Sequence, residues 1–306
     1  MMALRRSVIK VEVENTYAEA FDGLFTRLII TAKDSTRLKK ASYNSTALPS
    51  VVIGRTEGGV ERWLERKDTP DGRIGSIVQF WGMYEEDKAE RSVEKFYREI
   101  SYRIRQGILV TPTTAVFDAY DSRERIDMMD RVGHCGDSYE SEENFMGRNM
   151  IRIPLMMGDF IIERNIGYGI GVMGGNVWLM CKSEDAAIEA GDRVVEAVKK
   201  LEGVITPFDT CSAGSKPDTK YPEIGPTTNH QYCPTLIKSI PDSKVPRGVN
   251  SIPEIVINGI TIEAVKSAMR AAILSVQSMD GIVKVSAGNY GGRLGKYKIF
   301  LQELFS

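Results

Sequence analysis

Two stretches in the C-terminal half carry apolar residues at helical spacing, and each lies between short apolar runs. Ala187, Val194, Val195, Val198 and Leu201 line one face of a helix. Ser183 stands at the N-cap position, Glu184 and Asp185 in the first turn, Lys199 and Lys200 in the last, and Gly203 at the stop. Val265, Met269, Ala272, Ile273 and Val276 repeat the pattern after Thr261, with Glu263 in the first turn and Asp280-Gly281 at the end. The runs at 176–181, 204–208, 254–257 and 282–286 read as strands. The resulting order is β-α-β-β-α-β, the split βαβ unit.

The N-terminal half repeats this order with weaker signals. Strands are expected at 27–31, 50–53, 75–81 and 108–111, and a helix at 35–43. Val93, Phe96, Tyr97, Ile100 and Ile104 mark a longer helix, with Arg103 and Arg105 near its end and Gly107 after it. Residues 118–147 are highly charged and aperiodic, and read as a connecting or projecting insertion. The pattern predicts an α+β protein of two ferredoxin-like βαββαβ lobes from an internal duplication, one over residues 1–150 and one over 151–306.

Composition narrows the function without naming it. The chain has 306 residues, is 42% apolar and 26% charged, and carries a net charge of −1. Nothing in that balance calls for nucleic acid as a partner. No apolar run approaches the roughly 18 residues of a membrane span, and no secretory leader is read, so a cytoplasmic location is expected. Cys135, Cys181, Cys211 and Cys233 form no C-x-x-C pair, and there are 2 histidines. Reduced, packed thiols are the simpler reading, and no metal site is assigned. His230-Gln231-Tyr232-Cys233 is the nearest approach to a zinc motif.

Several motifs match only in outline. Gly169-Ile170-Gly171-Val172-Met173-Gly174 fits G-x-G-x-x-G, but a strand follows it where a dinucleotide site needs a helix. It reads as a flexible or tightly turning connection. Gly291-Gly292-Arg293-Leu294-Gly295-Lys296 is one residue short of a phosphate loop, and Tyr297 replaces the required Ser or Thr. No Ser-His-Asp triad is credible. Glu254 begins an apolar strand, and a carboxyl group beside apolar surface can have a raised pKa. From the residues alone, a solvated glutamate at a strand start is the simpler reading. The loop Ser286-Ala287-Gly288-Asn289-Tyr290-Gly291-Gly292-Arg293-Leu294-Gly295-Lys296-Tyr297 has four glycines, which let backbone N–H groups approach a ligand.

That loop, with Glu254-Ile255-Val256-Ile257-Asn258-Gly259, closely resembles the C-terminal end of the formylmethanofuran–tetrahydromethanopterin formyltransferase family. The resemblance extends through Asn15-Thr16-Tyr17-Ala18-Glu19-Ala20-Phe21, Thr69-Pro70-Asp71-Gly72-Arg73, Thr111-Pro112-Thr113-Thr114-Ala115-Val116-Phe117-Asp118, Gly174-Gly175-Asn176 and Cys233-Pro234-Thr235, among other segments. It implies a formyltransferase of one-carbon metabolism and methanogenesis. Its substrates would be the carriers methanofuran and tetrahydromethanopterin, with no bound cofactor or metal. It further implies a cytoplasmic homotetramer, or membership of a formyltransferase–hydrolase complex, and no nucleic-acid or membrane partner. Glu254 falls on the family's catalytic glutamate. Asn176, Ser215, Lys216 and Asn289 fall in family-like loops and are assigned to substrate positioning, with Lys216, Arg293 and Lys296 as partners for substrate anions.

Some loops depart from the family pattern. Residues 39–50 lack its Gly-rich stretch, Gly54-Arg55-Thr56-Glu57-Gly58-Gly59 replaces another loop, and 209–216 is shortened. Pro253 stands where a tyrosine is usual. These departures suggest a divergent member. The alternative is a non-catalytic pterin-binding or assembly paralogue that keeps the fold and the oligomer.

Overall fold

A computed structural model describes residues 11–48, 55–216, 218–225 and 227–305. Along the chain these form β1 (Glu12–Val13), β2 (Tyr17–Ala32), α1 (Ser35–Thr46), β3 (Glu57–Leu64), β4 (Ile74–Met83), α2 (Ala89–Arg103), β5 (Ala115–Asp118) and β6 (Arg125–Asp127). Next come β7 (Ser141–Phe145), β8 (Arg148–Leu155), β9 (Gly158–Glu163), β10 (Asn165–Cys181), α3 (Glu184–Val198) and β11 (Val204–Ile205). The chain continues through β12 (Ser215–Lys216), β13 (Thr227–Thr228), β14 (Glu254–Gly259), α4 (Ile262–Ser275), β15 (Ile282–Ser286) and β16 (Tyr297–Phe300). It divides into two compact units, residues 22–171 and residues 1–21 with 172–306. The expected boundary near 150 falls inside β8, whose pairing with β9 and β7 holds it in the first of these units.

In the 22–171 unit, β2 pairs with β4 and β5, and β3 with β4, all antiparallel. The strand order is β5-β2-β4-β3, so the first strand lies between the fourth and the third. Leu24, Leu28 and Ile30 of β2 share one face by period-2 alternation, and pack with Leu38 and Ala41 of α1 and Phe96 and Ile100 of α2. Each fully buried Leu, Ile or Phe contributes roughly 1.5–3 kcal/mol.

Two expectations change here. The apolar run expected as a strand at 108–111 instead extends α2 as a π-helix, Ile104–Leu109, and β5 closes the unit. A short run of apolar residues does not distinguish a buried helix end from a buried strand. Gly107 is required by close approach, since a Cβ there would lie 2.6 Å from Ser45 Cα. The charged insertion is ordered: it holds β6 and β7, and β7-β8-β9 form an antiparallel meander joined to β5 by a parallel pairing with β9. The strand expected at 50–53 lies outside the described residues.

In the other unit, β10 pairs antiparallel with both β15 and β14, and β14 with β11. The order β15-β10-β14-β11 repeats that of the first unit. The expected 204–208 strand is shorter, ending at Ile205. Asp34, Ser183 and Thr261 cap α1, α3 and α4 through their side-chain oxygens. The glycines of 169–174 lie within β10, not in a connection, and a register shift falls between Val172 and Gly175. Gly174 has φ +86°, and a Cβ on Gly175 would lie 2.4 Å from Val265 of α4.

Candidate active site

Strand alternation decides which residues are available for chemistry. Val177, Leu179 and Cys181 of β10 and Ile255 and Ile257 of β14 belong to the core that includes residues of α3 and α4. Residues of opposite parity, Trp178, Glu254 and Ser286, therefore emerge on the other face. The register sets Trp178 opposite Glu254 on one side and opposite Ser286 on the other, one row across three strands. Trp178 and Met180 pack there with Val249, Tyr232 and Ile252 from the long segment before β14.

Glu254 is 8% exposed. Its Oε1 accepts a hydrogen bond of 2.9 Å from Trp178 Nε1. Its backbone is fixed by a two-way bridge to Cys211, 2.9 Å in each direction. Burial raises its pKa from 4.5 to about 6, against the smaller lowering effect of the indole hydrogen bond. Glu254 lines a cavity of about 590 Å³ with Trp178, Ile188, Cys211, Tyr232 and Ile252. Thr210 Oγ1 and Asn229 Oδ1, from residues that also line this cavity, are buried without a hydrogen-bond partner. Unpaired polar atoms of this kind cost roughly 1–3 kcal/mol each.

A second cavity, about 470 Å³, shares Trp178, Asn229 and Tyr232 with the first. Lys216, Asn289, Tyr290 and Arg293 line it. Tyr232 meets the Trp178 indole edge-on at 4.8 Å. The phenols of Tyr232 and Tyr290 both have raised pKa values, each chiefly through burial, so both remain O–H groups at neutral pH. Arg293 pairs with Asp218 at 2.8 Å, and Lys216 Nζ donates to the Asp218 carbonyl. The Arg293–Asp218 pair is about 70% exposed on both sides. Such a pair contributes little and can exchange for a ligand anion at small cost.

The other sequence-assigned residues fall in different places. Asn176 accepts from Gly288 N at 2.6 Å and donates to Gly288 O at 3.2 Å, tying β10 to the Gly-rich loop. Asn289 donates to Thr16 Oγ1 and Tyr17 O. Ser215 lies in β12, opposite Thr228. Lys296 is exposed over the Tyr297 ring and lines neither cavity. The loop's inward N–H groups meet the protein's own carboxylate, Glu19. Among the described residues, no group of three or more His, Cys, Asp or Glu side chains could hold a metal ion.

Sequence reading missed Trp178, Tyr232, Glu14 and Glu19. Trp178 sat in a run read only as a strand, and its tie to Glu254 depends on a register between segments 76 residues apart. Ser286 donates to Glu14 at 2.5 Å, and Lys284 to the same carboxylate at 3.0 Å.

Models of known families match nearly the whole chain. Residues 7–155 match formylmethanofuran–tetrahydromethanopterin formyltransferase, and 158–304 match the proximal lobe of the same enzyme. The chain belongs to the formylmethanofuran–tetrahydromethanopterin formyltransferase family. A formyltransferase-like protein of Archaeoglobus fulgidus is 57% identical over 294 residues, covering 96% of each chain. The formyltransferase of Methanothermus fervidus is 39% identical over 300 residues, covering 96% of this chain and 98% of its own. The solved formyltransferase of Methanosarcina barkeri superposes with a TM-score of 0.89 at 37% identity, over 97% of this chain and 99% of its own. A formyltransferase/hydrolase complex from Methylorubrum extorquens with methylofuran also gives 0.89, at 30% identity over 98% of each chain. The family segments meet between 155 and 158, whereas the compact units divide at 171/172.

Proposed function

We propose that this family member transfers a formyl group from formylmethanofuran to N5 of tetrahydromethanopterin, with Glu254 as the catalytic residue. The supporting observation is the Glu254 carboxyl group, 8% exposed, held by Trp178 at a cavity wall and poised to titrate near pH 6. The pterin N5 attacks the formyl carbon, forming a C–N bond and a tetrahedral oxyanion. Glu254 takes the proton from N5 and returns it to the methanofuran nitrogen as the old C–N bond breaks. A pKa near the working pH suits a group that must both accept and donate. The two adjoining cavities fit two carriers meeting at Trp178, and aligning them supplies much of the rate. Asn176 and Asn289 serve by fixing the Gly-rich loop. Lys216 and Arg293 face substrate anions from the second cavity. Lys296, on the same loop as Arg293, is assigned to the same anions, and Ser215 to substrate positioning.

The protein would act in the cytoplasm as a homotetramer, or within an assembly like that of its formyltransferase/hydrolase neighbour. Purified protein with both carriers should form N5-formyl pterin, and Glu254→Gln should lower kcat about 10²–10⁴-fold. Near-full activity in the variant would remove Glu254 from the chemistry. A second reading, a pterin-binding paralogue without turnover, draws on Pro253 beside Glu254. It also draws on relatives above 50% identity bearing formyltransferase-like names. Binding of tetrahydromethanopterin by folded protein without product would favour it.

A further inference from the structure

We propose that Glu19 is a positioning residue: an internal anion around which the Gly-rich loop folds, setting the loop wall of the 470 Å³ cavity. Glu19 lies on β2, is 4% exposed, and sits opposite Lys298 of β16. Its Oε1 accepts from Tyr290 N at 2.9 Å and from Gly292 N. Its Oε2 accepts from Leu294 N at 3.0 Å and Gly295 N at 3.1 Å. Four N–H groups of residues 290–295 thus converge on one carboxylate.

Such a concavity of backbone N–H groups binds anions. In this chain the anion is covalently part of the fold. Gly291 and Gly292 turn the loop inward with φ of +70° and +77°. At Gly295 a Cβ would lie 2.7 Å from Ala20 N and O, so the loop lies directly against β2. Burial alone would raise the Glu19 pKa, but the four N–H donors outweigh it and the net direction is down, consistent with a carboxylate. Hydrogen bonds to an ionised acceptor are about twice as strong as neutral ones. The loop carries Asn289, Tyr290 and Arg293 into the cavity wall. Glu19 itself lines neither cavity, so it acts through the loop.

The functional part of this inference rests on the reading that the cavity holds part of a carrier substrate. Glu19→Gln keeps one acceptor oxygen and turns an NH₂ toward N–H groups that need acceptors. Its loop amides, 290–295, should exchange hydrogen at least about tenfold faster, with the amides of α3 and α4 unchanged. The KM for one carrier should rise about tenfold or more while kcat stays within about threefold. Glu19→Asp, one methylene shorter, should fall between wild type and Gln in both readouts, and it replaces Gln should that variant not fold. Wild-type exchange in the loop of the variant overturns the proposal. So does a fall in kcat with unchanged KM, the signature of a smaller active fraction. Absence of turnover in wild type would sink the formyl-transfer reading, and the exchange rates would still decide the role of Glu19.

Discussion

Glu254 combines a demanding environment with a simple local cause. The first residue of an apolar strand is carried by pleat parity to the face opposite the helices, and the segment before β14 covers it. Its folded pKa of about 6 exceeds the unfolded value of 4.5, so the folded state holds the proton more tightly. The resulting stabilisation is complete below about pH 4.5 and is lost as pH rises through 6. At pH 8 the ionised carboxylate costs about 2 kcal/mol. Glu254→Gln should therefore be more stable than wild type by up to that amount at pH 8, with no gain at pH 4, as read by urea unfolding. Equal stability differences at both pH values would contradict a buried, pKa-shifted carboxyl. Trp178→Phe removes the hydrogen bond that favours the ionised form. The pKa of Glu254 should rise further, and if Glu254 is the base that takes the N5 proton, the acidic limb of the activity profile should move to higher pH with it.

At the scale of elements, the Gly-rich loop is positioned from two directions, by Asn176 through Gly288 and by Glu19 through the four N–H groups. Gly288 is needed for space, since a Cβ would lie 2.7 Å from Trp178 Cζ2. Gly288→Ala should cost about 1–3 kcal/mol and change Trp178 fluorescence, because the indole or the loop must move. The lowered pKa of Glu19 gives the loop the opposite pH dependence to Glu254. Its stabilisation is complete above about pH 4.5 and is lost as pH falls through the lower folded value. In the other unit, Arg103 closes the end of α1. Its guanidinium donates to Ser45 O, Ala47 O and Leu48 O, and to Thr56 through both Oγ1 and O. Lysine cannot reproduce that planar fork. Arg103→Lys should lower unfolding free energy by roughly 2 kcal/mol or more.

At the scale of the whole molecule, each unit repeats one strand order around its own core, and both cavities described above lie in the unit of residues 1–21 and 172–306. Residues 22–171 form an uninterrupted stretch of chain, whereas the other unit needs both ends of the sequence. Within 22–171, Arg27 and Glu61 form a buried two-point ion pair at 2.7 Å, and Gln79 links Glu61 to Trp81. Breaking such a pair typically costs about 3–5 kcal/mol. Glu61→Leu should thus weaken hydrogen-exchange protection in β2, β3 and β4 before it affects α3 or α4. Uniform loss across the chain would mean that the two units unfold as one.

Helix spacing, the Ser183 and Thr261 caps and the doubled βαββαβ order were legible in the sequence, because they depend on residues a few positions apart. Glu254 stood out only through a family resemblance, since a solvated glutamate and a buried one look alike before strands pair. The π-helical extension at Ile104–Leu109 and the ordered insertion were not legible, because apolar runs and charged stretches fit more than one local structure. The tertiary structure alone decided the Trp178–Glu254 hydrogen bond and the shared wall of the two cavities. It also decided the use of Glu19 as the loop's own anion. Each of these joins residues from distant segments, and only sheet register brings such residues within hydrogen-bonding distance.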